Sequence, residues 1–276
     1  MVDFLLIGTM GNIGADVKEA LEDKGLSAAI VEFPQNIYRD EFGYNHALQK
    51  GIEEHYPAMI LPIGNTIALS RLKSKVPPEI IIPLDTEDKI RLLDSKVASS
   101  HLASELGILQ PRLYDCPESA GDNQLIFKRD ISFGGHGVHM PRTKESLYRL
   151  IEHQSPGEPY LIEDWIDGED YSVDCLRWDG YFRAGCYKVL AHQGKGPSLQ
   201  REICSFPAIE AAAKRILDHL DYHGVCGMDF RLGKDGKAYF LECNPRFTGG
   251  IRTQVESGFN IPCIYWQLAG PAYCKE

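Results

Sequence analysis

Apolar residues occur along the chain in two ways, as short unbroken runs and as helical stripes. The run Phe4-Leu5-Leu6-Ile7 predicts a buried strand over residues 3–8, followed by a helix with Ile13, Val17 and Leu21 on one stripe. Further strands are predicted over residues 27–33, 58–63 and 79–83, with a polar helix over 43–55 between the first two. Strands alternating with helices imply a parallel sheet with crossover connections, and this first unit closes near residue 88. A helix follows over 95–106, with Asp94 or Ser95 as its cap and Gly107 at its end.

Beyond it the pattern turns antiparallel. A strand over 124–129 leads through a glycine-rich loop, 132–138, to a helix over 143–153 and a strand over 159–166. Residues 171–177 and 181–190 read as a hairpin. Ser205 reads as the cap of a helix with Pro207 in its first turn. That helix has the stripe Ile209, Ala212, Ala213, Ile216, Leu217 and Leu220. Residues 224–232 and 237–244 make a last hairpin over Gly233-Lys234-Asp235-Gly236. The segment 191–202 reads as a mobile loop.

Composition narrows the class. Of 276 residues, 43% are hydrophobic and 25% charged, so there is enough apolar surface for a folded core. The formal charge of −10 disfavours a backbone-reading nucleic-acid binder. No apolar run approaches the ~20 residues of a membrane helix, and Met1-Val2-Asp3 begins no signal pattern. The 8 cysteines include no C-x-x-C and read as reduced, buried thiols, so a cytoplasmic setting is expected.

The last hairpin carries the strongest chemical signal. If Leu232 opposes Lys237, then Asp229 opposes Phe240, and Asp229, Phe240, Glu242 and Asn244 share a face. The two carboxylates are then diagonal neighbours at ~7–8 Å between Cα atoms, close enough to share one magnesium. Upstream, Lys128 ends a strand before Ser132-Phe133-Gly134-Gly135-His136-Gly137, whose N–H groups suit phosphate oxygens. No G-x-x-x-x-G-K-[ST] motif is present. The run Glu163-Asp164-Trp165-Ile166 ends a strand where backbone groups come free for an adenine edge, with Ile162, Trp165 and Ile166 as apolar walls and Asp170 or Glu169 placed to accept from ribose hydroxyls.

In this order, Lys96, Lys128 with Gly134-Gly135-His136-Gly137, Glu163 through Asp174, Asp229, and Glu242-Cys243-Asn244-Pro245-Arg246 resemble the ATP-grasp superfamily over nearly the whole chain. The pattern looks closest to the L-amino acid ligases among its carboxylate–amine ligases. The resemblance implies an α/β (α+β) ATP-grasp fold: an N-terminal Rossmann-like unit over 1–88, and an ATP-grasp domain over 89–276 with a mobile lid around 111–166 and a C-terminal catalytic sheet.

It also implies residue roles. Lys96 and Lys128 contact ATP phosphates, and Gly134, Gly135 and Gly137 close over them. Glu163, Asp164, Trp165 and Ile166 surround the adenine, with the backbones of Asp164 and Ile166 on its edge. Asp170 stands at the ribose position, one methylene shorter than the family's usual glutamate, with Glu169 in reserve. Asp229, Glu242 and Asn244 hold one or two Mg²⁺, for which Mn²⁺ can substitute. Arg246 and Lys128 serve catalysis at the transferred phosphoryl group, and Arg201, Gly249 and Gly250 face the substrate. The activity implied is ligation of a carboxylate to an amine through an acyl phosphate, on small-molecule substrates, by a single chain or a homodimer.

Two other readings compete. Gly8-x-x-Gly11-x-x-Gly14 between a strand and a helix, with Glu32 ending the next strand, suits an NAD-dependent enzyme, though the spacing is not G-x-G-x-x-G. With 276 − 244 = 32 residues after Asn244, a non-catalytic nucleotide-binding subunit is the other.

Overall fold

The computed structural model describes residues 1–8, 11–32, 41–121, 123–132, 134–192 and 198–270, with only the backbone of Ser198 and Leu199. Phe133 of the glycine-rich loop and residues 193–197 of the segment read as a loop lie outside the described residues.

The N-terminal unit is a parallel sheet in the order β2-β1-β3, made of β1 (Phe4–Ile7), β2 (Ala28–Val31) and β3 (Met59–Pro62). Helices α1 (Ile13–Glu22) and α2 (Glu41–His55) make the crossovers. Gly8 has φ +111°, and a Cβ there would stand 3.0 Å from the Gly64 nitrogen, so the strand-to-helix turn requires glycine. The strand expected over 79–83 is instead a single bridge between Met59 and Ile81. Pro77, Pro78 and Pro83 remove ladder donors around it, and Ile80 N–H turns back to the Pro77 carbonyl. A helix the hydrophobic pattern did not announce, α3 (Thr66–Leu72), follows β3 and is capped by the Asn65 side chain accepting from Ala68 N–H.

Two consecutive helices, α4 (Glu87–Asp94) and α5 (Lys96–Glu105), lead into the remainder of the chain. Ser95 is the cap of α5, its Oγ accepting from Ala98 N–H, which leaves Asp94 in the last turn of α4. The antiparallel sheet β5-β4-β6 comprises β4 (Leu125–Arg129), β5 (Val138–His139) and β6 (Tyr160–Asp164), backed by α6 (Lys144–Glu152). It has a small core of its own, in which Tyr114, Leu125, Phe127, Leu147 and Ile162 meet. Ile162, expected at the adenine, is thus committed to that core.

The large sheet runs β11-β10-β7-β8-β9, built from β7 (Gly168–Trp178), β8 (Tyr181–His192), β9 (Ser198–Cys204), β10 (Gly224–Gly233) and β11 (Ala238–Asn244). Residues 191–202, expected as a loop, largely belong to β8 and β9: Ala191 pairs with Gln200 and His192 with Ser198. Glycines and charges that read as a loop are tolerated on an edge strand. Helix α7 (Pro207–His219) is flanked by Phe206, not capped by Ser205. No side chain caps it, and Pro207 fills a position that needs no N–H. Helices α8 (Ile251–Glu256) and α9 (Ile261–Ala269) close the chain's described part and pack between the sheets, where Phe4 and Leu6 share a core with Leu176, Val225, Phe247 and Trp266. Among the described residues, no helix is long and apolar enough to cross a membrane.

The last hairpin departs from the expected register. Leu232 opposes Ala238, Phe230 opposes Phe240, and Asp229 opposes Glu242. The extra residue on β11 is Leu241, a β-bulge. The bulge reverses the alternation, so Phe240 leaves the carboxylate face and joins the core. There it is 1% exposed, its ring 5.6 Å from that of Phe230 in an edge contact. Replacing Phe240 with alanine should therefore cost about 3–5 kcal/mol of stability in urea unfolding while magnesium affinity stays unchanged. A loss of metal affinity at wild-type stability would return Phe240 to the other face.

Candidate active site

Alternation along the five strands, read with their register, puts a set of polar side chains on one face of the large sheet. Asp229 faces Glu242 across β10 and β11, and Gly227 faces Asn244. Ser172 and Asp174 on β7 oppose Asp229 and Gly227, Tyr187 and Gly185 on β8 oppose Ser172 and Asp174, and Arg201 enters from β9. Asp229, Glu242 and Asn244 are thus brought together as expected, with the two acids directly opposed rather than diagonal.

This acid pair sets the electrostatics. Burial raises the Asp229 carboxyl, repulsion from Glu242 raises it further, and a 2.5 Å hydrogen bond from Ser172 Oγ opposes both. Burial also works against Glu242, but Lys96 and Lys128 outweigh it and hold that carboxyl below its ordinary range. Lys96 Nζ lies 3.3 Å from Glu242 Oε2 and donates to the carbonyls of Asp130 and Ser132 at 3.2 and 3.0 Å. It therefore ties α5 both to the acids and to the start of the glycine loop.

Lys128 Nζ sits 2.6 Å from Glu163 Oε1 and 3.4 Å from the Leu241 carbonyl, which the bulge presents to it. Burial raises the Glu163 carboxyl, with Lys128 opposing the rise. Arg246 donates from Nη2 to Asn244 Oδ1 at 2.8 Å and from Nη1 to the Phe247 carbonyl at 3.2 Å. Asp94 adds another acid beside this group. Burial raises its carboxyl, and Arg246 and Lys96 oppose the rise.

The donor set fits a hard divalent cation. Among the described residues, no group of three or more His, Cys, Asp or Glu makes a protein-only cage. Two opposed carboxylates and an amide oxygen suit an ion such as magnesium, which completes its shell with water and phosphate oxygens. The repulsion that raises Asp229 beside Glu242 is what a divalent cation held between the two acids would relieve.

The segments expected to meet a nucleotide lie as follows. Gly134 and Gly135 have φ +59° and +75°, and a Cβ on Gly137 would lie 2.7 Å from Ser132 Oγ, so the loop is tight where expected. At the end of β6, the Asp164 N–H donates to the Arg112 carbonyl and its carboxylate accepts from Tyr114 and Asn123. The Ile166 N–H donates to no backbone carbonyl among the described residues. Trp165 stacks under the Arg231 guanidinium at 3.9 Å.

Asp170, expected at the ribose, accepts from Arg231 Nη1 at 2.8 Å on one oxygen and pairs with His192 Nε2 at 2.9 Å on the other. Glu169 is held by Lys188 at 2.6 Å. Arg201 Nη2 lies 2.8 Å from where a Cβ of Gly249 would be, so Arg201, Gly249 and Gly250 do form one cluster. Gly11 and Gly14 serve the turn into α1 and its packing on Ile30 and Ile63.

The sequence alone held Ser172 and Asp174 only as members of the matched run, with no role, and missed Tyr187, Thr248, Gln254 and the Leu241 carbonyl. Ser172 and Asp174 alternate with Asp170 along one strand, a signal that becomes readable only once β7 is known to pair with β10.

Two expected outcomes follow from these charges. A carboxyl whose pKa is raised by folding makes the folded state bind more protons, so metal-free stability declines as pH rises above the ordinary aspartate range of about 4. Asp229→Asn removes the repulsion. It should raise the metal-free melting temperature at pH 8 by roughly 2–4 °C, for about 1 kcal/mol, and flatten that decline in scanning calorimetry across pH. An unchanged or lower melting temperature would contradict the opposed acids. Lys128→Met strands Glu163, 3% exposed, and should cost about 3–5 kcal/mol at pH 8, most of which Lys128→Met/Glu163→Leu recovers in urea titration.

Comparison with known proteins bears on the fold. A family model described as ATP-grasp in the biosynthetic pathway with Ter operon matches residues 157–271. The chain is 24% identical over 266 residues to the carbamoyl phosphate synthase large chain of Thermoanaerobacter sp. (strain X514), covering 82% of this chain and 24% of that one. It thus spans about a quarter of that relative's length. Its structure is similar to biotin carboxylase from Campylobacter jejuni in complex with β,γ-ATP, with TM-score 0.78, 15% identity and coverage of 99% of this chain and 72% of the other. It is also similar to N5-carboxyaminoimidazole synthetase from Staphylococcus aureus with ADP, with TM-score 0.72, 15% identity and coverage of 98% and 78%.

Proposed function

Because the chain has an ATP-grasp fold and its residues 157–271 match an ATP-grasp family model, we propose that it is an ATP-dependent carboxylate–amine ligase working through an acyl phosphate. The observation that carries the reading is the directly opposed, buried pair Asp229 and Glu242, with Lys96 and Lys128 converging on it. Mg²⁺ or Mn²⁺, one ion or two, would be held by Asp229, Glu242 and Asn244, and would neutralise charge on the outer phosphate oxygens.

The chain's own residues would do the rest. The Glu163 carboxylate, the Asp164 carbonyl and the Ile166 N–H would orient the adenine. Glu163 has lone pairs to spare beyond its Lys128 contact. Lys96, Lys128 and the N–H groups of Gly134, Gly135 and Gly137 would hold the phosphates, and the β5-β4-β6 sheet would act as the lid that excludes water. A substrate carboxylate oxygen attacks the γ-phosphorus, the bond to the β-phosphate oxygen breaks, and ADP leaves. Arg246 and Lys128 stabilise the transferring group by position and charge. An amine nitrogen then attacks the acyl carbon, the carbon–oxygen bond to phosphate breaks, phosphate leaves and the nitrogen loses its proton.

Arg201, Gly249 and Gly250 are placed to meet the substrates, which we take to be small molecules. Asp170 would reach a ribose only by releasing Arg231 or His192. We further propose the division into units at 1–88 and 89–276, and action in the cytoplasm, either alone or as a homodimer.

Mg-ADP at 100 times its dissociation constant should stabilise the chain by about 2.7 kcal/mol, read as a rise of several degrees in melting temperature, with no rise from NAD. Phosphate release from Mg-ATP, screened against amino acids, dipeptides and bicarbonate, then identifies the carboxylate, and Glu242→Gln should abolish it. A shift with NAD alone would sink the ligase reading.

A further inference from the structure

Beside the acid pair, the same sheet face carries a second buried acid. Asp174 is 3% exposed and lies two residues from Ser172 on β7. Among the described residues it forms no salt bridge, and Arg201 bears on it only as a nearby charge that lowers its carboxyl. Its oxygens accept instead from two residues of the segment that follows β11: Thr248 Oγ1 donates to Oδ1 at 2.5 Å, and Gln254 Nε2 to Oδ2 at 3.3 Å. Thr248 Oγ1 in turn accepts from Gly250 N–H at 3.1 Å, and Gln254 Nε2 also donates to the Gly185 carbonyl at 2.7 Å.

The surroundings are cut to this contact. Both residues opposite Asp174 on the neighbouring strands are glycine, Gly227 on β10 and Gly185 on β8. A Cβ on Gly227 would collide with the Thr248 methyl, one on Gly185 with the Gln254 amide, and one on Gly250 with Asp174 and the Tyr187 hydroxyl. Three glycines thus clear the space in which Thr248 and Gln254 reach the carboxylate. Burial raises the Asp174 carboxyl to about 6, with Thr248 and Gln254 opposing the rise.

The segment so held begins with Arg246 and includes Gly249 and Gly250. Its other side is anchored by Phe247, 1% exposed in the core beneath the sheet. We propose that Asp174 is a positioning residue that clamps the segment 246–254 to the sheet through Thr248 and Gln254, and so sets where Arg246 and the Gly249-Gly250 backbone stand relative to the acid pair. The clamp itself is independent of the reaction; its consequence for turnover rests on the ligase reading above.

The test compares Asp174→Ala, the isosteric Thr248→Val, and Thr248→Ser, which keeps the hydroxyl. Amide hydrogen exchange of peptides spanning 246–254 is measured on nucleotide-free protein, alongside kcat and KM for Mg-ATP in phosphate release. Thr248→Val should speed exchange in 246–254 by roughly tenfold or more, the worth of a hydrogen bond to a charged group, while peptides of the β5-β4-β6 sheet exchange as in wild type. Its kcat should fall about tenfold with KM for Mg-ATP held within twofold, and Thr248→Ser should restore both. Asp174→Ala should match or exceed Thr248→Val; if it does not fold, the threonine pair decides. Unchanged exchange in Thr248→Val, or a serine variant no better than the valine, overturns the clamp. Wild-type protein that releases no phosphate would count against the ligase reading alone, since exchange is read without nucleotide.

Discussion

Two carboxylates that face each other in a low-dielectric setting are the constraint around which this protein is arranged. Asp229 and Glu242 repel, and the surrounding structure partly compensates: Ser172 donates to one, Lys96 and Lys128 draw down the other. Such a pair suits a divalent cation, and buried repulsion of this kind is what functional sites retain at the expense of stability. Each neighbouring feature connects to it. Lys96 links α5 and the glycine loop to the acids, Lys128 links the β4 strand to the bulge, and Arg246 closes the far side on Asn244.

The bulge at Leu241 gives the hairpin two jobs at once. By adding one residue to β11 it keeps Glu242 over Asp229 while turning Phe240 into the core against Phe230. It also frees a carbonyl for Lys128. A regular hairpin would have left Phe240 beside the acids, where an aromatic ring would desolvate them without neutralising them. The contrast with Asp170 is instructive, because there a neighbouring cation, Arg231, is supplied by the facing strand and the acid is already paired.

Lid, acid pair and clamp therefore divide the work between rigid and adjustable parts. The five-stranded sheet supplies the rigid face. The β5-β4-β6 sheet, with a core of its own, meets that face where Lys128 Nζ reaches the Leu241 carbonyl at 3.4 Å. The segment after β11 is held from both sides, by Phe247 below and Asp174 within the sheet.

Local chemistry made much of this legible. Apolar runs located most strands, Ser95 and Gly107 bracketed α5, and two acids and an amide of one hairpin were rightly expected to come together. Those signals depend on side-chain periodicity and on the nearest turn, which a linear reading contains. The bulge, the short bridge at Ile81 and the edge strand over 198–204 depended on where the partner strand's donors and acceptors fell, and no local pattern specifies that. Asp174 is the clearest case. In the sequence it is one more polar residue in a strand, and only β8, β10 and the segment after β11, converging from distant parts of the chain, surround it with glycines and give its carboxylate two donors. Residue type settled which groups could do chemistry here, because charge and hydrogen-bonding capacity are local properties. Tertiary packing decided which of them are buried together, because desolvation and register are set by chain segments far apart in sequence.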